Sequence, residues 1–155
     1  MDVVIEMLPA RRLATIRHVG SYQTIAEAFH RLGSIATASG LYAHVEPAML
    51  ALYHDDPETT PLSELRSDAA LVVRDDAVIP PELTEMPLSS GRYAKKTHRG
   101  AYSGLGDAWA GLMGVWLPQS GYRVRTSPSY EVYVTDPRTA PTNDLQTDLY
   151  LPLVD

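Results

Sequence analysis

Short apolar runs alternate with longer periodic segments along this chain, and their spacing predicts strands and helices. The runs "DVVIEML" and "ARRLATIRHV" have the length and β-branched content of strands. Thr24 with Glu27 predicts a capping box at the start of a helix, and Gly40 predicts its end. The apolar positions between them recur with helical spacing: Ile25, Ala28, Phe29, Leu32, Ile35 and Ala36. The runs "AMLALY" and "DAALVV" then predict two more strands.

The second half of the chain repeats this pattern. Pro118 predicts the end of a second helix, and the runs "YEVYV" and "LQTDLYLPLV" predict the strands that follow it. The helix positions match those of the first half one by one: Leu105, Ala108, Trp109, Leu112, Val115 and Trp116. Each half therefore reads as strand, strand, helix, strand, strand.

Identical residues support a tandem duplication with an offset of 80 positions. About fifteen identities fall in roughly 65 aligned positions, among them His18 with His98 and Gly20 with Gly100. We therefore expect an α+β fold of antiparallel sheets with two helices. It forms one domain over residues 1–155, built of repeats at 1–76 and 84–155 with a linker at about 77–83.

Composition narrows the function classes. The 13 basic and 19 acidic residues give a net charge of -6, which argues against a large surface for nucleic acid or anionic membranes and suits cationic partners. Without cysteine the chain has no disulfide, thiol catalysis or cysteine-ligated metal. The acidic start "MDVVIEM" does not resemble a signal peptide, and no apolar run approaches a membrane span. We expect a cytoplasmic protein that uses no cofactor or metal.

Several motifs together resemble the GyrI-like superfamily. They are "HxGxY" before each helix, "LYHDDPETTPLSELRSDAALVV", "GRYAKKTHRGAYSGL", "WLPQSGY" and "PSYEVYVTDP", and they cover essentially the whole chain. The family includes stand-alone DNA gyrase inhibitory proteins of the SbmC type and effector-binding domains fused to AraC-type regulators. The resemblance implies two units related by a pseudo-twofold axis, with a ligand cleft between them.

The same resemblance implies binding of bulky, often cationic, organic compounds in that cleft. Gyrase inhibition and protection against a toxin are both open as the purpose of binding, and hydrolysis of electrophilic cyclopropanoid compounds is the enzymatic alternative. The chain has no helix-turn-helix segment, so we expect no direct binding of nucleic acid. We also expect no membrane association and a monomer.

Residues that both repeats keep are expected to serve the fold. On this reasoning His18 and His98 hold local backbone, and Gly20 and Gly100 occupy turns with positive φ. Asp68 and its repeat counterpart at 148 are expected to cap loops or strands. Residues that differ between the repeats are the better candidates for function.

Glu131 is the strongest of these candidates. It lies in the strand "SYEVYV", where the first repeat has Leu50 or Ala51, and strand alternation places it on the same face as Tyr133. A carboxylate beside aromatic rings suits a hydrophobic cation, whereas an edge-strand glutamate facing water is the alternative. Hydrolysis would need Glu131 with a nearby Tyr or Trp.

Aromatic residues complete the predicted ligand-binding set. Trp116 replaces Ala36 of the first repeat and either packs in the core or lines the cleft. Tyr133, Tyr102 and Tyr22 are the other members. Trp109 for Phe29 reads as an ordinary core exchange. Three glycines within the second helix predict a close approach, either by the first helix or by a ligand: Gly106, Gly111 and Gly114.

Catalytic and metal motifs are scarce. The sequence holds no Ser-His-Asp spacing, nucleophile elbow, phosphate loop or HExxH. The acidic stretch "HDDPE" repeats only its Asp-Pro pair in the second half, which favours a surface loop over a metal site. The sequence therefore assigns no catalytic residue.

Overall fold

The computed structural model describes residues 2–155 and confirms an α+β fold in which both repeats follow the predicted order. Its strands and helices are β1 (Val4–Leu8), β2 (Arg11–Val19), α1 (Ala26–Ser39), β3 (Val45–Tyr53), β4 (Arg66–Val73), β5 (Thr84–Leu88), β6 (Gly91–Arg99), α2 (Leu105–Gly111), α3 (Leu117–Ser120), β7 (Ser129–Tyr133) and β8 (Gln146–Leu153).

The chain packs as two compact units. The N-terminal unit is Ala10–Ser89, and the C-terminal unit is Ser90–Asp155 with the residues before Ala10. The first strand of each sequence repeat therefore pairs within the other unit. β5, the first strand of the second repeat, pairs with β2, and β1, the first strand of the first repeat, pairs with β6. The sequence repeats describe the duplication, whereas the packing units begin one strand later.

The N-terminal unit is an antiparallel sheet in the order β5-β2-β4-β3, with α1 packed on β2 and β4. Alternation along the strands sends every second side chain toward the helix. Among the described residues, ten buried side chains form the core between this sheet and α1: Ala14, Ala28, Leu32, Ala36, Leu41, Ala69, Leu71, Val73, Ala77 and Leu83. Its last two members come from the predicted linker, which thus belongs to this core.

The C-terminal unit has the corresponding order β1-β6-β8-β7. Its helical segment packs on β6 and β8 through a smaller set of buried residues: Ala94, Ala108, Leu112, Leu149, Leu151 and Leu153. The strand pairs of the two sheets correspond at the offset of 80: β1-β6 corresponds to β5-β2, β6-β8 to β2-β4, and β7-β8 to β3-β4. The predicted cleft between the repeats stays a prediction.

The two repeated histidines occupy equivalent places, as the duplication predicts. The Nε2–H of His18 donates to the Ser21 carbonyl at 3.0 Å, and that of His98 donates to the Ala101 carbonyl at 2.9 Å. The turns that follow contain Gly20 at φ 122° and Gly100 at φ 113°, a region that favours glycine. Their structural role is confirmed.

The predicted start of the first helix is wrong in detail. Ile25 precedes the helix and no side chain caps it. The Thr24 hydroxyl instead donates to the Ser21 carbonyl at 2.9 Å and lies 2.9 Å from His18 Nε2. It is engaged in the turn before the helix, so it cannot also form a capping box. Gly40 ends the helix at φ 75°, as predicted.

The predicted end of the second helix at Pro118 is also wrong. A π-helical turn, Leu112–Trp116, joins α2 to α3, and the helix ends at Gly121 with φ 80°. Pro118 lies in the first turn of α3, where its missing N–H costs little. A Cβ added at Gly106 or Gly114 would meet no atom within 4 Å, so packing by the described chain does not explain these two glycines.

Candidate ligand-binding site

Glu131 is buried in the C-terminal unit. It lies on β7 opposite Leu149 of β8, on the sheet face that carries the helical segment, and only 2% of it is exposed. Its neighbours Tyr130 and Val132 project to the other face. The alternative of an edge-strand glutamate facing water is therefore wrong.

Two aromatic side chains hold the Glu131 carboxylate. Trp109 Nε1 donates to its Oε2 at 2.7 Å, and the Tyr133 hydroxyl donates to its Oε1 at 2.8 Å. Hydrogen bonds to an ionised acceptor are stronger than those between neutral groups, so these two donors fix the orientation of the carboxylate. The site presents a fixed acceptor edge among apolar rings.

Tyr102 extends the aromatic group toward solvent. Its ring packs edge-on against Tyr133 with 5.6 Å between centroids, and 37% of the residue is exposed. Burial raises the pKa of the Tyr102 phenol, and the charges of Asp136 and Glu131 raise it further. The phenol therefore stays neutral at physiological pH, which suits a ring that contacts an apolar ligand.

The other two predicted site residues lie in separate groups. Trp116 stacks on Tyr122 with 6.0 Å between centroids, and the Arg92 guanidinium lies 5.8 Å from the Tyr122 ring. In the N-terminal unit, the Tyr22 hydroxyl donates to the Asp55 carbonyl at 2.7 Å. The ligand-binding roles of Trp116 and Tyr22 stay predictions, whereas Trp109 and Tyr133 both donate hydrogen bonds to Glu131.

Sequence reasoning missed the part that Trp109 plays. Trp109 and Glu131 correspond to Phe29 and Ala51 of the first repeat, so a polar pair in one unit stands where the other unit has an apolar pair. The sequence signal for this contact is that Trp109 and Glu131 both carry polar atoms that their counterparts in the first repeat lack. The change from phenylalanine to tryptophan alone suggests core packing. Together with the change from alanine to glutamate, it indicates a hydrogen bond between the two side chains.

Trp109→Phe, which copies the first repeat, should lower the free energy of unfolding by about 1–3 kcal/mol because it removes a hydrogen bond to a buried carboxylate. Urea denaturation measures this effect. Trp116→Phe is the matched control, since it shortens an equally large side chain that stacks on Tyr122. Equal losses for the two variants would show that the indole N–H of Trp109 adds nothing.

Metal and membrane features are absent from the described part of the chain. Among residues 2–155, no three His, Cys, Asp or Glu side chains come close enough to hold a metal ion. Over the same residues, no helix has the length and apolar character needed to cross a membrane.

Comparisons with known proteins identify the family. The model of the GyrI-like small molecule binding domain matches residues 1–154. A DNA gyrase inhibitor of Yersinia enterocolitica is 40% identical over 140 residues, covering 87% of each chain. A DNA gyrase inhibitor of Edwardsiella piscicida is 32% identical over 147 residues, covering 90% of this chain and 91% of the relative.

Solved structures share the fold at low identity. The EcmrR C-terminal domain superposes with a TM-score of 0.84 at 18% identity, covering 99% of this chain and 98% of that one. SAV2435 bound to tetraphenylphosphonium superposes with a TM-score of 0.74 at 16% identity, covering 99% and 94%. With the family model matching nearly every residue, this chain belongs to the GyrI-like small-molecule-binding family.

Proposed function

We propose that this protein binds bulky hydrophobic cations at Glu131. The observation that carries the proposal is a buried carboxylate held among aromatic side chains, with Trp109 and Tyr133 as its hydrogen-bond donors. A carboxylate supplies the opposite charge, and aromatic faces attract a cation through their quadrupole while burying its apolar groups.

The exposure of the site residues suggests where a ligand would approach. Tyr102 is the most exposed of the aromatic group around Glu131, whereas Tyr133 and Trp109 are half-buried. A ligand that binds first on the exposed Tyr102 ring would next contact Tyr133, whose hydroxyl is bound to the Glu131 carboxylate. Cation pairing and aromatic contact each contribute about 1–2 kcal/mol in a partly dry site, so micromolar affinity is a reasonable expectation.

Relatives support the same chemistry. The family is defined by small-molecule binding, and SAV2435, which shares the fold, was solved with a lipophilic cation bound. That cation is therefore a suitable first probe.

The test uses two ions of the same shape and opposite charge. Tetraphenylphosphonium should bind saturably at micromolar concentration, followed by tryptophan fluorescence and calorimetry, whereas tetraphenylborate should bind at least tenfold more weakly. The reason is that both ions bury the same apolar area, so the sign of their charge distinguishes them, and the Glu131 variant then separates the site from the net charge of the chain. Equal affinity for both ions would contradict the proposal.

Inhibition of DNA gyrase is a second candidate function, because the two relatives at 40% and 32% identity are both named DNA gyrase inhibitors. We infer a cytoplasmic monomer that contacts gyrase without binding DNA itself. A supercoiling assay tests inhibition, a gel shift with duplex DNA tests the second part, and light scattering tests the oligomeric state. Unaltered supercoiling at high molar excess would exclude this function.

Hydrolysis of electrophilic cyclopropanoid compounds is the enzymatic alternative. The contact that favours it is the 2.8 Å hydrogen bond from the Tyr133 hydroxyl to Glu131, which places a proton donor beside a carboxylate. Incubation with such a compound, followed by mass spectrometry, distinguishes turnover from binding. A ring-opened product that Tyr133→Phe abolishes would favour the enzyme.

A further inference from the structure

The N-terminal unit carries a groove between α1 and the sheet. Its volume is about 460 Å³, and it is broadly open to solvent because most of its lining residues are exposed. Six residues line it: Ile16, His30, Arg31, Ser34, Ile35 and Glu82. None of them belongs to the site around Glu131, so the groove is a separate feature of the molecule.

The floor of the groove is apolar and its position is fixed by the core. Ile16 on β2 and Ile35 on α1 both pack against the buried core of the unit. Arg31 reaches from α1 toward β2, where its Nη2 donates to the Arg17 carbonyl at 3.3 Å. One hydrogen bond uses one of the five guanidinium donors, and it holds the side chain beside Ile16.

Arg31 brings a permanent positive charge to this groove, and His30 adds an imidazole beside it. Within residues 2–155, neither Arg31 nor His30 forms an ion pair with an acidic side chain, while the neighbouring Arg17 is bound to Asp68 at 2.7 Å. Glu82 is the single acid among the lining residues. In a chain of net charge -6, two basic groups over an apolar floor form an unusual local combination.

The other repeat does not reproduce the groove. The positions that correspond to Ile16, His30 and Arg31 are Lys96, Ala110 and Gly111. The C-terminal unit thus has a cation in place of the apolar floor and small residues in place of the basic ones. Since residues that serve only the duplicated fold are expected in both repeats, this combination calls for another reason.

We propose that this groove binds an amphipathic carboxylate, with its apolar body on Ile16 and Ile35 and its carboxylate on Arg31. The planar guanidinium matches a carboxylate with two parallel hydrogen bonds, and the His30 imidazole adds a further polar group at the same rim. The ligand is opposite in charge to the cation proposed for Glu131, so the two sites select different compounds.

Isoleucine methyl NMR with naphthalene-1-carboxylate as the probe tests the proposal. The chain has few isoleucines, which gives a simple spectrum: Ile5, Ile16, Ile25, Ile35 and Ile79. The methyl signals of Ile16 and Ile35 should shift saturably, and that of Ile5, in the C-terminal unit, should not. Naphthalene-1-methanol, which lacks the charge, should bind at least fivefold more weakly.

Variants with opposite expected effects make the test specific. Arg31→Gln should weaken binding of the carboxylate at least fivefold, and Glu82→Gln should strengthen it about twofold. Glu131→Gln should leave this affinity unchanged. No shift at millimolar probe, equal binding by Arg31→Gln, or loss of binding in Glu131→Gln would each overturn the proposal.

Discussion

Replacing Glu131 with glutamine should weaken tetraphenylphosphonium binding at least tenfold and leave the melting temperature unchanged or higher. The loss follows because glutamine keeps the shape of the side chain and removes the charge that selects a cation. Tenfold corresponds to about 1.4 kcal/mol, the size expected for one charge contact in a partly dry site. Calorimetric titration measures the affinity, and thermal denaturation measures the stability.

Stability should survive because glutamine can form a hydrogen bond with each of the two partners of Glu131, accepting from Trp109 and donating to Tyr133. Its Oε1 can accept from Trp109 Nε1, as the Glu131 carboxylate does at 2.7 Å, and its amide N–H can donate to the Tyr133 oxygen. The substitution also places a neutral amide where the side chain is 2% exposed, and burial is less costly for an amide than for a charged group. A large loss of melting temperature would show that the carboxylate is needed for the fold itself.

Asp136→Asn is the matched control for this experiment. Asp136 also lies in the C-terminal unit, but it is exposed and pairs with Arg138 at 2.9 Å. The control removes the same unit of charge from the same part of the chain, so it tests for a general field effect. If Asp136→Asn and Glu131→Gln weaken binding equally, or if neither weakens it, the assignment of Glu131 is wrong.

Much of the fold could be predicted because the same pattern of apolar positions and turns occurs in both repeats. The helix that contains Leu32 and the one that contains Leu112 share six apolar offsets, and agreement between copies separates a real period from chance. The repeated glycines at 20 and 100 were predictable for the same reason, since both turns need positive φ. Alternation also placed Glu131 and Tyr133 on one sheet face.

Two predicted helix boundaries are wrong because the surrounding structure overrides the local sequence preference. Thr24 has the spacing of a capping residue, but its hydroxyl is taken by His18 and the Ser21 carbonyl. Pro118 usually ends a helix, but a π-helical turn before it allows α3 to form. Neither the histidine contact nor the π-helical turn has a signature in the local spacing that sequence reasoning uses.

The candidate site could be predicted only in part. The gain of a charge at Glu131 is visible in one repeat, and Tyr133 follows from strand alternation. The contact of Trp109 with Glu131 joins residues on a helix and a strand, and distance along the chain says nothing about which indole reaches the carboxylate. Trp116 was the more conspicuous exchange, yet its ring stacks on Tyr122 instead.

Asp68 shows how a repeated residue can be placed correctly and explained wrongly. The expectation that it caps a loop or strand is wrong, because it lies within β4 and is 2% exposed. Its Oδ1 accepts from Arg17 Nε at 2.7 Å, and its Oδ2 accepts from His54 Nε2 at 2.5 Å. Asp148, its counterpart, is likewise buried but accepts from the Thr97 hydroxyl at 2.7 Å. The repeats share the buried acid and differ in its donors.

Asp68→Ala should therefore lower the free energy of unfolding by about 3 kcal/mol, because it leaves the donors of His54 and Arg17 without their shared acceptor. In a protein of this size the melting temperature should fall by roughly 6–12 °C. Urea denaturation measures the loss, and Asp136→Ala, which breaks the exposed pair with Arg138, should change stability little. Similar losses for both variants would show that burial of Asp68 adds nothing.

The pH dependence of this loss tests its electrostatic origin. Burial by itself raises the pKa of Asp68, but the hydrogen bonds from His54 and Arg17 outweigh burial and bring the pKa below its ordinary value. A depressed folded-state pKa gives stability that is present above the unfolded-state pKa of about 4 and is lost as the pH falls through the folded-state value. The difference between the parent protein and Asp68→Ala should accordingly be full at pH 7 and shrink below about pH 4. A difference that stays constant down to pH 2 would mean that Asp68 stabilises β4 through its packing volume, not through its charge.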